Sequence, residues 1–97
     1  MQFKDKDIEA FWLDPENSAP KRVSPKLRHA LYRKLQMLSA AYTLNDLRVP
    51  PSNHLEKLQK DRKDRAGQHS IRVNKQWRLV FRWDDGEAKE VEFCDYH

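Results

Sequence analysis

The hydrophobic pattern of this chain changes its period between the first half and the last third. In the first half, apolar residues recur at spacings of three and four, at Leu27, Leu31, Leu35, Leu38 and Tyr42. In the last third they alternate with polar residues, at Trp77, Leu79, Phe81 and Trp83. The first pattern is typical of a helix with one apolar face, and the second of a strand with one buried face. Helices followed by strands predict an α+β domain, with N-terminal helices packed on an antiparallel sheet.

The longer of two predicted helices runs over about 25–42, because Ser24 can cap it and Pro25 suits its first position. A shorter helix is predicted near Ile8, after an apolar start that could form an edge strand. Prolines and polar residues predict a loop between the two helices, over 13–25. A short capped turn is predicted from Thr43 to Leu47.

Two antiparallel strands are predicted from His69 to Trp83, with a polar break at 74–76. Asp84, Asp85 and Gly86 form a hairpin signal, so a further strand should follow them. The segment from Leu55 to Gly67 has mixed charges and is predicted to be a surface loop.

The 97 residues suit one hydrophobic core, and we predict a single domain over 1–97. A formal net charge of +4 makes an anionic partner plausible but does not name it. Cys94 is the only cysteine, which excludes an internal disulfide and favours a cytoplasmic protein. The first residues are highly charged, so they predict neither a signal peptide nor a membrane span.

The sequence lacks the motifs of several common kinds of functional site. The four histidines share no zinc-ligand spacing with one another or with Cys94, so no metal is predicted. With only two glycines, the chain has no phosphate-binding loop, and it has no serine nucleophile elbow. RNA cleavage without a metal stays open, because it requires only a base for the 2′-hydroxyl, an acid for the leaving oxygen and a cation for the phosphate.

Four cations lie on or between the two predicted strands, at Arg72, Lys75, Arg78 and Arg82. The arginines alternate with the apolar residues, so a sheet packed on helices would display them outward as a basic platform. Ordinary solvation of an outer sheet face explains the same pattern, and the residues alone leave both interpretations open. If the last strand pairs beside the one that bears Arg78, then the chain end, Asp95-Tyr96-His97, arrives next to that arginine.

Several segments of the chain resemble a known protein family. TLNDLRVPPSNHLEKL, AGQHSIRVNKQWRLVFRW, DDGEAKEVEF and the closing DYH are similar to HigB killer proteins of bacterial toxin–antitoxin systems, within the RelE/ParE superfamily. The resemblance is close over about 43–97. It implies a RelE-like fold, in which N-terminal helices pack on an antiparallel sheet of about four strands.

The resemblance also implies an activity: a ribosome-dependent endonuclease, without a cofactor, that cuts messenger RNA in the A site of the small ribosomal subunit. The implied catalytic or RNA-contacting set is Arg78, Asp95, Tyr96 and His97. By residue chemistry we assign Arg78 to the scissile phosphate, His97 to proton transfer, Tyr96 to stacking or a hydrogen bond, and Asp95 to orientation. A HigA-like helix-turn-helix antitoxin would silence the toxin, and operator DNA would be met only through that partner.

Some positions depart from the family pattern. Relatives commonly have LKGDRKGQ where this chain has LQKDRKDRAGQ, so Lys60, Lys63 and Arg65 are expected to contact RNA in an altered loop. His54 stands where relatives often have arginine and could also contact RNA. Two alternatives remain from the superfamily: a ParE-like poison of DNA gyrase, and an RNA-binding module that does not cleave.

Overall fold

The computed structural model describes residues 1–58 and 67–95. Its helical elements are α1 Lys6–Leu13, α2 Pro25–Ala40 and two 3₁₀ turns, Leu44–Arg48 and Pro51–Asn53. Its strands are β1 Glu56–Lys57, β2 Gln68–Arg72, β3 Trp77–Asp84 and β4 Glu87–Asp95. They pair antiparallel in the order β1-β2-β3-β4, and this four-stranded sheet beside two helices confirms the predicted fold class. Within the described ranges, no helix is long and apolar enough to cross a membrane.

Helix α2 packs one apolar face into the core, through Leu27, Leu31, Leu35 and Leu38. The expected extension to residue 42 was wrong, because the helix ends at Ala40 and Tyr42 is 89% exposed. The Asp46 carboxylate accepts hydrogen bonds from the backbone N–H groups of Tyr42 and Thr43, at 2.9 and 3.0 Å. The bond from Thr43 is part of a capping box that begins the predicted turn after α2. Ser24 precedes α2 as predicted, but its side chain makes no capping hydrogen bond.

The sheet has two different faces, as the alternation predicts. On the helix face, apolar residues of β2, β3 and β4 join the core: Ile71, Leu79, Phe81, Val91 and Phe93. Residues between them in sequence point to the opposite face, called the outer face below. The expectation that 55–67 is entirely a loop was wrong at its start, because β1 pairs with β2 there. Lys60, Lys63 and Arg65 lie outside the described residues.

Two local features shape β4. Asp85 and Gly86 both have positive φ, 53° and 73°, as a tight hairpin turn of the predicted kind requires. Farther along, a register shift opposite β3 accompanies a φ of 52° at Glu90, and the strand bulges there. The bulge lies beside Val91, which forms a parallel bridge with Phe3. The predicted N-terminal edge strand is therefore a single bridge.

Arg22 fastens the inter-helix loop to the end of β4. Its guanidinium donates to the Asp7 carboxylate at 2.8 Å, to Asp5 at 2.8 Å and to the Phe93 carbonyl at 2.9 Å. Its hydrogen bond to Asp7 lowers the pKa of that carboxyl, although partial burial opposes the shift. The same guanidinium lies 5.3 Å from the centre of the Phe93 ring, which stacks on Trp77 at 4.5 Å. This cluster fixes the strand just before Asp95.

Candidate functional site

The outer face of the sheet carries rows of cross-strand neighbours that are mostly polar. The rows are Arg72, Arg78 and Cys94, then Ser70, Val80 and Glu92, then Gln68, Arg82 and Lys89. Several of these polar side chains are nevertheless buried: Ser70, Gln68, Arg78 and Glu92 are 0 to 6% exposed. Burial of polar groups is costly unless they are hydrogen-bonded, so such a face requires a connected network.

Arg78 is the centre of this network. One terminal nitrogen, Nη1, donates to the Ser70 hydroxyl at 2.8 Å and to the His54 carbonyl at 3.2 Å. The other, Nη2, forms an ion pair with a Glu56 carboxylate oxygen at 3.3 Å. The side chain of Arg78 is 4% exposed and that of Glu56 is 46% exposed. The cation is therefore buried, and its carboxylate partner stands at the surface.

These contacts revise the sequence prediction for Arg78. The residue lies on the outer face, as alternation predicts, but the expectation that it is displayed to solvent was wrong. Ser70 on β2, Glu56 on β1 and the carbonyl of His54 surround its guanidinium. A charged group in such a position holds its neighbours in place because each contact compensates for lost hydration.

Arg72 lies directly opposite Arg78 in the β2–β3 register and is half-buried. Two cations facing each other across a strand pair destabilise a sheet unless negative charge is near. The Glu56 carboxylate supplies such charge to Arg78. Lys75 is exposed in the turn that joins β2 to β3, at the same end of the sheet. Arg72, Arg78 and Lys75 therefore bring positive charge to this end of the sheet.

Arg82 belongs to the other end of the outer face. It pairs in register with Gln68 and Lys89, and it forms an ion pair with Glu90. Gly67 approaches its guanidinium so closely that a Cβ there would stand 3.0 Å from Nη1. The row of Val80 lies between Arg82 and Arg78, so the two arginines share a face without forming one cluster.

His54 combines an unusual backbone with an exposed side chain. Its φ of 44° and ψ of 55° are left-handed, a conformation that costs a residue other than glycine about 1–2 kcal/mol. The residue ends the second 3₁₀ turn, and its carbonyl accepts the hydrogen bond from Arg78. His54 is thus tied to the network through its backbone, while its imidazole faces solvent.

The end of β4 reaches the same end of the sheet. Asp95 pairs with Trp77, one position from Arg78, and accepts a hydrogen bond from Gln76 at 3.0 Å. Because Trp77 belongs to the helix face, alternation assigns Asp95 to that face and Cys94 to the face of Arg78. Tyr96 and His97 lie outside the described residues. Their positions relative to Arg78 stay a prediction.

Sequence reasoning missed the acceptors around Arg78. Ser70 had a signal, since the alternation in QHSIR places it on the face of Arg72. No sequence pattern indicated Glu56, because its contact with Arg78 depends on the pairing of β1 with β2. Its partner in that pairing, Ser70, lies 14 residues later in the chain. A second carboxylate was also missed: Glu92, 6% exposed, accepts from the Cys94 thiol at 2.8 Å and lies 3.0 Å from the Lys4 ammonium.

A titratable histidine on β2 does not extend the site. His69 lies on the helix face beside Phe81, with ring centres 6.3 Å apart. Burial lowers its pKa, and the nearby charges of Lys57 and Arg48 lower it further. Over 1–58 and 67–95, no group of three or more histidine, cysteine, aspartate or glutamate residues could hold a metal ion.

Comparison with known proteins points to one family. A family model described as the RelE-like toxin of the type II toxin–antitoxin system HigB matches residues 1–97. Toxin HigB-1 of Vibrio cholerae is 44% identical over 97 residues, which are 100% of this chain and 96% of that protein. A Haemophilus influenzae protein named only as uncharacterized is 43% identical over 77 residues, 78% of this chain and 71% of that protein.

A solved structure supports the fold. A chain of the YoeB–YefM complex from Staphylococcus aureus superposes with a TM-score of 0.58 and covers 99% of this chain and 93% of its own length. Its sequence identity is 23%, so the likeness concerns the fold.

The network predicts a structural effect of removing its central cation. Arg78→Ala takes away the donor to the Ser70 hydroxyl and the His54 carbonyl, and we expect the free energy of unfolding to fall by about 1–3 kcal/mol. Lys75→Ala is the control, since this exposed cation lies in the adjacent turn and its loss should cost no more than about 0.5 kcal/mol. Urea unfolding of the two variants measures both values. Equal stabilities would contradict the role of Arg78 in holding the network.

Proposed function

We propose that this chain, which belongs to the HigB-like family of RelE-like toxins of type II toxin–antitoxin systems, cleaves messenger RNA in the ribosomal A site. The observation that supports this reaction best is the pair Arg72 and Arg78 on the outer face, next to the half-exposed Glu56. Two adjacent arginines suit a phosphate that gains negative charge during cleavage.

The proposed step begins at the ribose. The 2′-oxygen attacks the neighbouring phosphorus while a base removes its proton, and the bond from phosphorus to the 5′-oxygen breaks. The leaving 5′-oxygen takes a proton from an acid, so the products are a 2′,3′-cyclic phosphate and a 5′-hydroxyl end. Charge builds on the phosphate oxygens, and we assign its stabilisation to the guanidinium of Arg78. Side-chain groups suffice for this scheme, which therefore requires no cofactor.

The remaining catalytic roles rest on residue chemistry and on the family. We assign proton transfer to His97, since imidazole titrates near neutral pH. Tyr96 would stack on a base or donate a hydrogen bond, and Asp95 would orient these neighbours. The register brings the backbone of Asp95 to within one position of Arg78, although alternation assigns the Asp95 side chain to the helix face.

The ribosome is assigned the task of positioning the substrate. Orientation of reacting groups can supply several kcal/mol of the barrier reduction, roughly 7–11 kcal/mol in favourable cases. We propose that a further set of basic residues contacts RNA phosphates. It comprises His54, Lys60, Lys63, Arg65, Arg72, Lys75 and Arg82. Action on ribosomes would place the protein in the cytoplasm.

The proposed protein partner is an antitoxin. The structural match comes from a complex named for two proteins, YoeB and YefM. For this chain we propose a HigA-like helix-turn-helix partner, through which alone operator DNA would be contacted. The net charge of +4 favours a partner with an acidic contact surface.

Cleavage should require both the guanidinium and the terminal imidazole. Arg78→Lys keeps the positive charge but loses the planar guanidinium with its paired N–H donors. Deletion of His97 removes the proton-transfer group. Each change should slow cutting by about 10²–10³-fold. Primer extension on translating ribosomes measures the cuts, with Lys21→Ala as an exposed control. A messenger with 2′-deoxyribose at the cut position should resist cleavage.

Three outcomes would contradict parts of this proposal. Cutting at wild-type rates by both folded variants would remove the assigned site. Ribosome binding without new RNA ends would indicate a binding module, and growth arrest that tracks DNA damage would indicate a gyrase poison. Equal cutting of free and ribosome-bound messenger would refute dependence on the ribosome.

If an antitoxin neutralises this chain, the two proteins should form a stable complex. Co-expression with the product of a neighbouring gene that encodes a small helix-turn-helix protein should restore growth, and the two chains should copurify. Binding through charge should weaken as salt rises, because exposed ion pairs are screened. Growth arrest that persists in the presence of that protein, with no complex after purification, would contradict this partnership.

A further inference from the structure

Three basic side chains converge on the helix face of the sheet, at the edge that β1 forms. Lys57 on β1 pairs in register with His69 on β2, and both alternate with residues of the outer face. Arg48 ends the first 3₁₀ turn, which packs on the second 3₁₀ turn, and the second turn packs on β2. The charges of Lys57 and Arg48 lower the pKa of His69, in addition to the larger effect of burial. Arg48, Lys57 and His69 are called the edge cluster below.

Within residues 1–58 and 67–95, the edge cluster has no carboxylate that compensates its charge. Lys57 and Arg48 are exposed and form no ion pair there, and the Arg48 guanidinium donates only to the Asn45 amide oxygen, at 2.9 Å. Glu56, the neighbour of Lys57 in sequence, lies on the opposite face and pairs with Arg78. The edge cluster therefore concentrates positive charge that the described part of the fold does not neutralise.

The hydrogen-bonding capacity of the His69 side chain is unused in the described part of the chain. Its ring packs against Phe81, with ring centres 6.3 Å apart, and its Nδ1 is buried without a hydrogen-bond partner. Buried polar atoms without a partner are uncommon in folded proteins. Protonated imidazole donates from both ring nitrogens, and a nearby anion favours that form. An anion at the edge cluster would thus meet two cations and gain a donor from His69.

The position of the edge cluster favours RNA as the source of that anion. Strand β1 is two residues long, with Glu56 beside Arg78 on the outer face and Lys57 on the helix face. The edge cluster is therefore separated from the proposed cleavage site only by this short edge strand. Exposed Lys57 and Arg48 suit the oxygens of a phosphate in a polymer, whose neighbouring phosphates extend to both sides.

We propose that the edge cluster is a second phosphate-binding subsite, which binds an RNA phosphate other than the one at the cut. This inference rests on the proposed function, because the subsite holds RNA while Arg78 acts on the scissile phosphate. The edge cluster anchors RNA and does not touch the reacting atoms. Its phosphate comes from the messenger or from ribosomal RNA, two sources of the same chemistry that the experiment distinguishes.

The test compares variants that each remove one positive charge. Lys57→Gln and Arg48→Gln alter the edge cluster, and Lys21→Gln is the control. Lys21 is exposed in the loop that Arg22 ties to β4, at the opposite edge of the sheet. The probe for the messenger is a short, fluorescein-labelled 2′-O-methyl RNA oligonucleotide, which cannot undergo internal attack.

A messenger phosphate at the edge cluster predicts weaker binding of this oligonucleotide. Each cluster variant should bind it about fivefold more weakly than Lys21→Gln in fluorescence anisotropy at about 0.1 M salt. The plot of log affinity against log salt concentration should become shallower by about 0.7, the value for one phosphate contact to a single strand. His69→Phe keeps an aromatic ring against Phe81 but removes the donors, and it should weaken binding by about two- to tenfold.

A second arm measures the affinity of the same variants for ribosomes without messenger, by cosedimentation. Losses confined to this arm would assign the phosphate to ribosomal RNA and support the subsite, as losses with the oligonucleotide would for the messenger. Affinities equal to that of Lys21→Gln in both arms would overturn the inference. Lost binding of the antitoxin with unchanged RNA binding would also overturn it, because the edge cluster would then serve a protein partner. Wild-type affinity of His69→Phe in both arms would overturn the three-residue subsite.

Thermal unfolding separates binding from a structural role. Loss of the Lys57 charge relieves repulsion within the edge cluster, so the unfolding temperature of Lys57→Gln should equal or exceed that of Lys21→Gln. A lower unfolding temperature with unchanged RNA affinity would indicate a structural role for Lys57 and contradict the proposal.

Failure of this inference can be distinguished from failure of the proposed function. Weaker RNA binding by the cluster variants, with ribosome-bound messenger left intact by wild type, would support the subsite and refute the cleavage. Cleavage by wild type, with equal RNA affinities of the cluster variants and Lys21→Gln, would refute the subsite and leave the proposed function standing.

Discussion

The Arg78 guanidinium is almost removed from solvent, and its contacts connect four parts of the chain. Arg78 belongs to β3, Ser70 to β2, Glu56 to β1 and His54 to the end of a 3₁₀ turn. Because a buried charge is costly without partners, these contacts stabilise one another. The two-residue strand β1 and the left-handed His54 are held at this end of the sheet by the same cation.

A second arginine supports the site from the other side. Arg22 joins two N-terminal aspartates to the Phe93 carbonyl, and Phe93 stacks on Trp77. Trp77 precedes Arg78, and Phe93 lies two positions before Asp95. Contacts on the helix face therefore fix the ends of β3 and β4, while the charged side chains lie on the outer face. In this account, alternate residues of the same two strands face the core on one side and the proposed phosphate site on the other.

The sequence predicted features that depend on local pattern. The period of three and four located α2, the alternation around Leu79 assigned the faces of β3, and Asp85 with Gly86 predicted the hairpin. The end of α2 could not be predicted from apolar spacing, because Asp46 captures the backbone N–H groups of the residues just after it.

Features that depend on distant pairing were missed. Nothing in the sequence near Glu56 indicates a strand, since β1 exists only through its pairing with β2. For the same reason, alternation placed Arg78 on the correct face but could not reveal its burial: the groups that surround it come from three other segments. The positions of Tyr96 and His97 at the site remain a prediction.

The central claim is that the Arg78 guanidinium binds the messenger phosphate at the cut position. Electron cryomicroscopy of the toxin on ribosomes, programmed with a messenger that carries 2′-deoxyribose at the cut position, tests it most directly. The account predicts a phosphate oxygen within about 2.7–3.2 Å of the Arg78 guanidinium, with the Ser70 hydroxyl still in contact. A toxin bound in the A site with every messenger phosphate beyond hydrogen-bond distance of the Arg78 guanidinium would contradict it.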